Sequence, residues 1–332
     1  MTFGLLEPTT EEPAATAVDV AAGVLVHADG QVLLAQRPER KVYAGYWEFP
    51  GGKVEDGETF RVALDRELSE ELGIVVQQAY PWLTQTFTYP HATVRIHFFR
   101  VVAWTGQPTA KEHQGLEWQR PAHMSLAPML PANTPILRAL ELAHEYVISD
   151  AATAGEDAYL AALAAQLAAG VKIVVVREPT LARERLRTLA ARVVTLCRAH
   201  HARVLVDKDI QVAQEVGADG VHLTAQQLAA LDQRPPFAWV GASCQDELAL
   251  AKAEELVLDY VELGPVRASG AADLAALDWQ RLARLLGDFS LPVFACGELR
   301  RADLEQAWLH GAHGLALTGQ AWAAASPKFP PR

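Results

Sequence analysis

GGKVEDGETFRVALDRELSEELGI, residues Gly51 to Ile74, is the stretch of this chain that says most about it. Its middle predicts a helix from about Thr59 to Leu72, closed by Gly73 as C-cap. On that helix Glu67, Glu70 and Glu71 stand at i, i+3 and i+4, so they share one face. Ala63 lies one turn earlier on the same face and leaves room above it, while Leu64, Leu68 and Leu72 repeat every four residues toward a core. Three carboxylates packed together repel unless a cation sits among them. Magnesium suits such a set because it is hard, seeks oxygen and keeps waters and substrate phosphates as further ligands. Manganese is the alternative ion. The bend at Gly51-Gly52 lets the Gly51 carbonyl approach the same ion, and Arg66 can pair with Glu58 to hold the loop against the helix. Taken alone, three glutamates also fit a solvated acidic face.

Around this segment the first half is rich in strand patterns. Val18–His27 and Gln31–Gln36, separated by Asp29-Gly30, predict a hairpin. Strand-like runs follow at Leu83–Tyr89, Thr93–Trp104 and Leu116–Gln119, then a helix from Thr134 to about His144. Strands with a few helices suggest a mixed sheet covered by helices on its faces. From Glu145 the rhythm changes to short apolar runs alternating with helical segments, at Tyr146–Ile148, Ile173–Val176, Val204–Val206, Gly220–Leu223, Trp239–Ala242, Tyr260–Leu263, Pro292–Ala295 and Leu315–Leu317. Eight strand–helix units predict a (β/α)8 barrel, with an open doubly wound sheet as the other arrangement of parallel strands. The expected organisation is a leader over 1–15, a first domain over 16–144 and a barrel over 145–325. No Gly-, Ser- or Pro-rich linker separates the halves, so they are expected to be docked.

Bulk composition narrows the function. Half of the 332 residues are hydrophobic, enough for two cores. The net charge of −11 comes with no basic stripe, which argues against a partner of duplex nucleic acid but not against a small nucleotide. Cys197, Cys244 and Cys296 lack zinc spacing and imply a reduced, cytoplasmic protein. The acidic, proline-containing start is unlike a secretory signal, and the Ala-rich Tyr159–Ala169 is too short for a membrane span. Oligomeric state is not legible.

The Gly51–Ile74 segment resembles the Nudix box at every fixed position: Gly52, Glu58, Arg66, Glu67, Leu68, Glu70, Glu71, Gly73 and Ile74. The resemblance spans roughly residues 17–142 and implies a Nudix α/β/α sandwich with a mixed sheet. It also implies a magnesium-dependent diphosphatase whose metal is held by Gly51, Glu67, Glu70, Glu71 and Glu112. GYWEFPGGKVEDGE and the later LPANTPIL look like the MutT-type 8-oxo-dGTP diphosphatases. That likeness puts Asn133 on the oxidised purine, Phe49 near the base and Arg37 near the phosphates or nucleoside. An Asn carries both donor and acceptor for a purine edge. Plain readings stand beside these: Phe49 as core, Asn133 as N-cap of the next helix, and Glu117 in place of Glu112. One departure is Ala92, where that family has an arginine; Arg95 is nearby.

The second half is similar to thiamine-phosphate synthase and its thiazole-tautomerase relative, through EYVISD, VVVREP, VGADGVHL, GAS, DYVELGPV, LPVFACGEL and GAHGLAL. Arg177, Ser243, Gly264, Pro265 and Gly297 keep the family pattern at strand ends, where a barrel active site lies. Val175 and Pro179 replace its pyrophosphate-reading pair, Asp207-Lys208 replaces Asn-Asp, Gln227 stands for the second metal Asp, and Gln245 for the tautomerase His. Expulsion of pyrophosphate needs metal and cations. The expectation is therefore a degenerate barrel that is structural or binds a phosphorylated ligand through Arg177, Ser243, Gly264 and Gly297, with Arg267 as a further cation. His222, inside a strand, reads as structural. Three further readings stay open: hydrolysis of thiamine-pathway diphosphates, residual synthase activity, and a ligand-binding barrel that regulates the hydrolase.

Overall fold

A computed structural model describes residues 17–266 and 277–319. The expected leader and Arg267 lie outside them. The first half runs β1 (Val18–Leu25), β2 (Val32–Gln36), β3 (Trp47–Glu48), β4 (Gly51–Lys53), α1 (Phe60–Leu72), β5 (Val75–Tyr89), β6 (Ala92–Thr105), β7 (Gly115–Gln119) and α2 (Thr134–Leu140). Two sheets result, ordered β4-β1-β6-β5 and β3-β2-β7. The larger is mixed, since β1 pairs parallel with β6 and antiparallel with β4. Alternation along β1 sends Ala21 and Leu25 to one face, where Leu64, Leu68 and Leu72 of α1 pack. Ala22 and Val24 face the other way, toward Ile136 and Ala139 of α2. The half is thus an α/β/α sandwich.

Three local expectations are corrected. The Asp29-Gly30 turn reverses the chain, with His27 N donating to Gln31 O at 2.8 Å and Val26 bridging Val32, but the hairpin goes no further: β6 and β4 take the two edges of β1, and β2 turns away to join β3 and β7. Ala63 leaves no room on the glutamate face; it is fully buried in the core with Leu64. The last helix stops at Leu140 rather than near His144, and Leu142 drops into the core at the end of the barrel.

The second half is a closed barrel, which excludes the open sheet. Its parallel strands are β8 (Glu145–Ile148), β9 (Ile173–Val176), β10 (Arg203–Asp207), β11 (Gly220–Leu223), β12 (Trp239–Cys244), β13 (Tyr260–Val266), β14 (Val293–Gly297) and β15 (Gly314–Thr318). Tyr146, Leu205, Tyr260 and Phe294 fill the interior, so the barrel is packed, not hollow.

The halves are docked. The N-terminal ends of the barrel strands sit against β5, β6 and α2 of the sandwich. Thr84 N donates to Phe289 O at 3.1 Å, Gln85 Nε2 to Ser290 O at 2.6 Å, and Tyr80 OH to Glu305 at 2.8 Å. Trp82 Nε1 donates to His313 Nδ1 at 3.2 Å. Arg100 is buried between the rings of Trp82 and Trp308, 4.9 and 4.6 Å from their centroids. On the other side Arg138 bonds Asp259 and lies 3.4 Å above the Trp239 ring. The mouth of the barrel, at the C-terminal strand ends, is therefore the end away from the sandwich.

Candidate active site

Helix α1 begins where Thr59 accepts a hydrogen bond from Val62 N, and ends at Gly73, whose φ of 72° is left-handed. These caps fix its register over β4, and the three glutamates then divide by burial. Glu71 is buried, Glu67 is half-buried and Glu70 is exposed. Glu71 accepts from Gly51 N at 2.9 Å and faces His113 Nε2 at 3.1 Å and Lys41 Nζ at 3.7 Å. Arg66 is the organiser of the rest. It donates twice to Glu58 at 2.9 Å, once to Lys53 O at 3.0 Å and once to Glu67 at 2.7 Å, and it reaches Glu70 at 3.4 Å. These bonds hold the Glu58 carboxyl down to about 2. Burial raises the Glu67 carboxyl, and the charges of Glu71 and Glu70 add to this against its Arg66 bond.

A cavity of about 510 Å³ opens beside the helix, lined by Glu67, Glu71, Gly51, Gly52, Arg37, Lys41, Glu48 and Glu112 among others. Glu112 is exposed on its rim, whereas Glu117 lies in β7 and does not line it. Gly52 needs to be glycine here: a Cβ on it falls 2.3 Å from the Glu67 carboxylate. Among the described residues no three acidic, His or Cys side chains already converge as a metal cluster. The donor set nevertheless fits a hard divalent ion, with carboxylates 67 and 71, a glycine backbone cleared of side chains and the loop carboxylate 112 on one cavity. Glu70 is not on that wall.

The other expected residues scatter. Arg37 lines the cavity, but its Nη1 is taken by Glu48 and its Nε by Val42 O at 2.8 Å. Burial raises the Glu48 carboxyl against the pull of Arg37. Phe49 does not line the cavity; it packs edge-on against Phe98, 6.0 Å between centroids, in the core. Asn133 does not line the cavity, although Leu130 does; it makes no N-cap bond, is 4% exposed, and its Nδ2 has no hydrogen-bond partner among the described residues. Arg95 does not fill the gap at Ala92, because it pairs with Asp19 at 2.7 Å. Sequence reasoning missed Glu48, Tyr43 and His113. Glu48 sits within the quoted GYWEFPGG stretch and carried a legible signal, a carboxylate between apolar neighbours.

The barrel mouth holds a second cavity, about 340 Å³, lined by Arg177, Ser243, Gln245, Glu262, Gly264, Pro265, Cys296 and Gly297 with others. Arg177 is not free there. Its Nη1 and Nη2 donate to Glu262 at 3.0 Å each, and its Nε donates to Asp207 at 3.2 Å. Burial pushes the Glu262 carboxyl up, but His222, Arg177 and the Tyr146 hydroxyl outweigh it and hold it at about 2. Gln227 caps its own helix and bonds Lys208 O. His222 is buried between Tyr260 OH at 3.0 Å and Ser243 Oγ at 2.9 Å.

A sandwich with this helix and a closed barrel with these strand ends define a two-part protein, and comparison with known families says which parts. The chain belongs to the Nudix family through residues 17–140 and to the thiamine monophosphate synthase family through residues 145–321. It is a Nudix hydrolase carrying a thiamine-phosphate synthase-like barrel. Its first half is 37% identical over 131 residues to an 8-oxo-dGTP diphosphatase of Haemophilus influenzae, covering 39% of this chain and 96% of that one. It is 39% identical over 122 residues to a CTP pyrophosphohydrolase of Escherichia coli, covering 37% and 90%. The barrel is 32% identical over 188 residues to a Geobacter sulfurreducens protein provisionally named a thiamine-phosphate synthase, covering 55% and 88%. No helix among the described residues is long and apolar enough to cross a membrane.

Proposed function

We propose that the first half is a magnesium-dependent diphosphatase that converts 8-oxo-dGTP to 8-oxo-dGMP and pyrophosphate, so that it clears an oxidised precursor from the nucleotide pool. The observation that carries this reading is the shared cavity: Glu67, Glu71, Gly51 and Glu112 line the same space as Arg37 and Lys41. Oxygen donors and cations on one cavity suit a substrate that brings phosphates together with a metal. Glu67, Glu71, Gly51 and Glu112 would hold the metal, and Glu70, exposed on the same helix, would be a further oxygen donor beside them; when bound, the metal neutralises phosphate charge and makes water more acidic. Arg66, fixed by Glu58, keeps Glu67 turned to the cavity. Lys41 adds positive charge beside Glu71 for the phosphates. Manganese can serve in the same oxygen set.

Asn133, buried three residues after the cavity-lining Leu130, is the residue to which we assign the oxidised purine. A buried amide with an orphaned N–H is costly unless something bonds it. An oxidised guanine presents an edge with both donors and acceptors, as an Asn requires. The experiment is hydrolysis of 8-oxo-dGTP and dGTP by wild type and Asn133→Ala. The preference for 8-oxo-dGTP should fall at least tenfold in the variant, while thermal stability stays within about 2 °C. An unchanged preference removes Asn133 from recognition.

For the barrel we propose a structural role. Its Arg177, the one Lys or Arg lining the mouth cavity among the described residues, is already neutralised by Glu262 and Asp207. The sandwich rests on its closed end through Trp82, Arg100 and Trp308.

A further inference from the structure

Glu71 is the most buried of the three glutamates, and a second buried group stands against it that the metal reading does not use. His113 is 8% exposed, and its Nε2 lies 3.1 Å from Glu71 Oε2. It does not line the cavity, whereas its chain neighbour Glu112 is exposed on the rim. The loop that carries both is pinned on each side. Thr109 N donates to Leu72 O and Lys111 N to Glu71 O, both at 3.0 Å, which ties the loop to the last turn of α1. Gln114 N donates to Gln36 O at 3.0 Å, which ties it to β2. Held so, the loop turns Glu112 out and His113 in.

Packing does not call for an imidazole at this place. The ring approaches Glu71 closely, yet neither of its nitrogens has a directed hydrogen bond among the described residues. Two buried polar atoms in that state cost stability, and an apolar side chain would avoid the cost. The oxygen within reach is Glu71 Oε2, which also accepts from Gly51 N at 2.9 Å. Oε1 lies 3.7 Å from Lys41 Nζ, a cation that lines the cavity. A small turn of the ring or the carboxylate aims the His113 N–H at Oε2. Gly51 N and His113 then take one lone pair each of Oε2, and Oε1 is left on the side of Lys41.

We propose that His113 is the positioning residue of Glu71: by holding Oε2 from behind, it makes Glu71 present a single oxygen, Oε1, to the divalent ion. The proposal rests on the metal reading of this cavity given above. Carboxylates that bind metals are themselves held by hydrogen-bond partners that never touch the ion, and those partners fix how the ligand points. One oxygen per carboxylate suits magnesium, which demands near-ideal octahedral geometry. The loop thus serves the ion twice, through Glu112 at the rim and through His113 behind Glu71.

The test is binding of Mn2+ to the metal-free full chain, read from the EPR signal of the free ion, for wild type, His113→Gln and His113→Phe. Gln offers an N–H in place of Nε2 without the ring; Phe keeps the ring without any N–H. His113→Phe should weaken Mn2+ binding roughly 10- to 100-fold, the range for partners behind a metal ligand, while His113→Gln stays within about threefold of wild type. If Phe binds as wild type and Gln is weakened, His113 only fills space and the proposal is overturned. Equal weakening of both variants, or of neither, overturns it as well. Should the melting curve show that the Phe variant does not fold, His113→Leu takes its place with the same expectation. Wild type that takes up no Mn2+ removes the metal reading itself, an outcome separate from any ranking of the variants.

Discussion

Gly52 shows how much of the site depends on single atoms. It belongs to β4, pairs with Ala21 and leaves the space that the Glu67 carboxylate occupies. No positive φ demands a glycine there, so Gly52→Ala tests space alone. The added methyl, 2.3 Å from the Glu67 carboxylate, must turn that side chain away from the cavity. Turnover should fall by roughly 100-fold or more, the scale of losing one well-placed electrostatic group. The melting temperature should move by no more than about 2 °C, since Glu67 can swing toward solvent. Calorimetry alongside kinetics checks both, and full activity in this variant contradicts the placement of Glu67.

At the scale of elements, helix α1 was legible almost to the residue. The cap Thr59, the Leu64-Leu68-Leu72 stripe and Gly73 each have a local cause, and local causes are written in neighbouring residues. The eight barrel strands were legible for the same reason, each being a short apolar run between helices. The failed hairpin was not legible. An Asp-Gly turn between apolar runs says that the chain reverses, but not that both edges of β1 are taken, one by β4 and one by β6. Side-chain partners were harder still. That Glu262 neutralises Arg177 needs the strands of a closed barrel in register, and spacing along the chain carries no trace of it. Phe49 failed for a related reason: an aromatic beside a motif packs into whichever face its strand presents, here the core.

The whole molecule is one docked pair, and its junction is unusually rich in buried polar rings. His313 accepts from Trp82 at Nδ1 and has Nε2 3.3 Å from Leu142 O, a pattern that suits a neutral ring. Burial pushes His313 down to about 3 and, inside the barrel, His222 down to about 4. Burial likewise pushes His144 well down. Unfolded, these imidazoles take protons near pH 6.5. Between pH 6.5 and about 4 the unfolded chain therefore binds more protons than the folded one, and stability falls as pH falls. At pH 5 the loss should be about 2 kcal/mol each for His222 and His313 relative to pH 7.5. Denaturant titrations at the two pH values measure it, and His313→Asn should flatten the dependence. A stability independent of pH over this window means these rings are not buried neutral.

The proposed activity of the glutamate helix is hydrolysis of a nucleoside triphosphate between its α and β phosphorus atoms. The direct measurement is phosphorus NMR of 8-oxo-dGTP incubated with magnesium and either wild type or Glu67→Gln. Wild type should give 8-oxo-dGMP and pyrophosphate, with turnover in the variant lower by roughly 100-fold or more and its melting curve retained. Inorganic phosphate as the first product, or a Glu67→Gln rate within twofold of wild type, contradicts it.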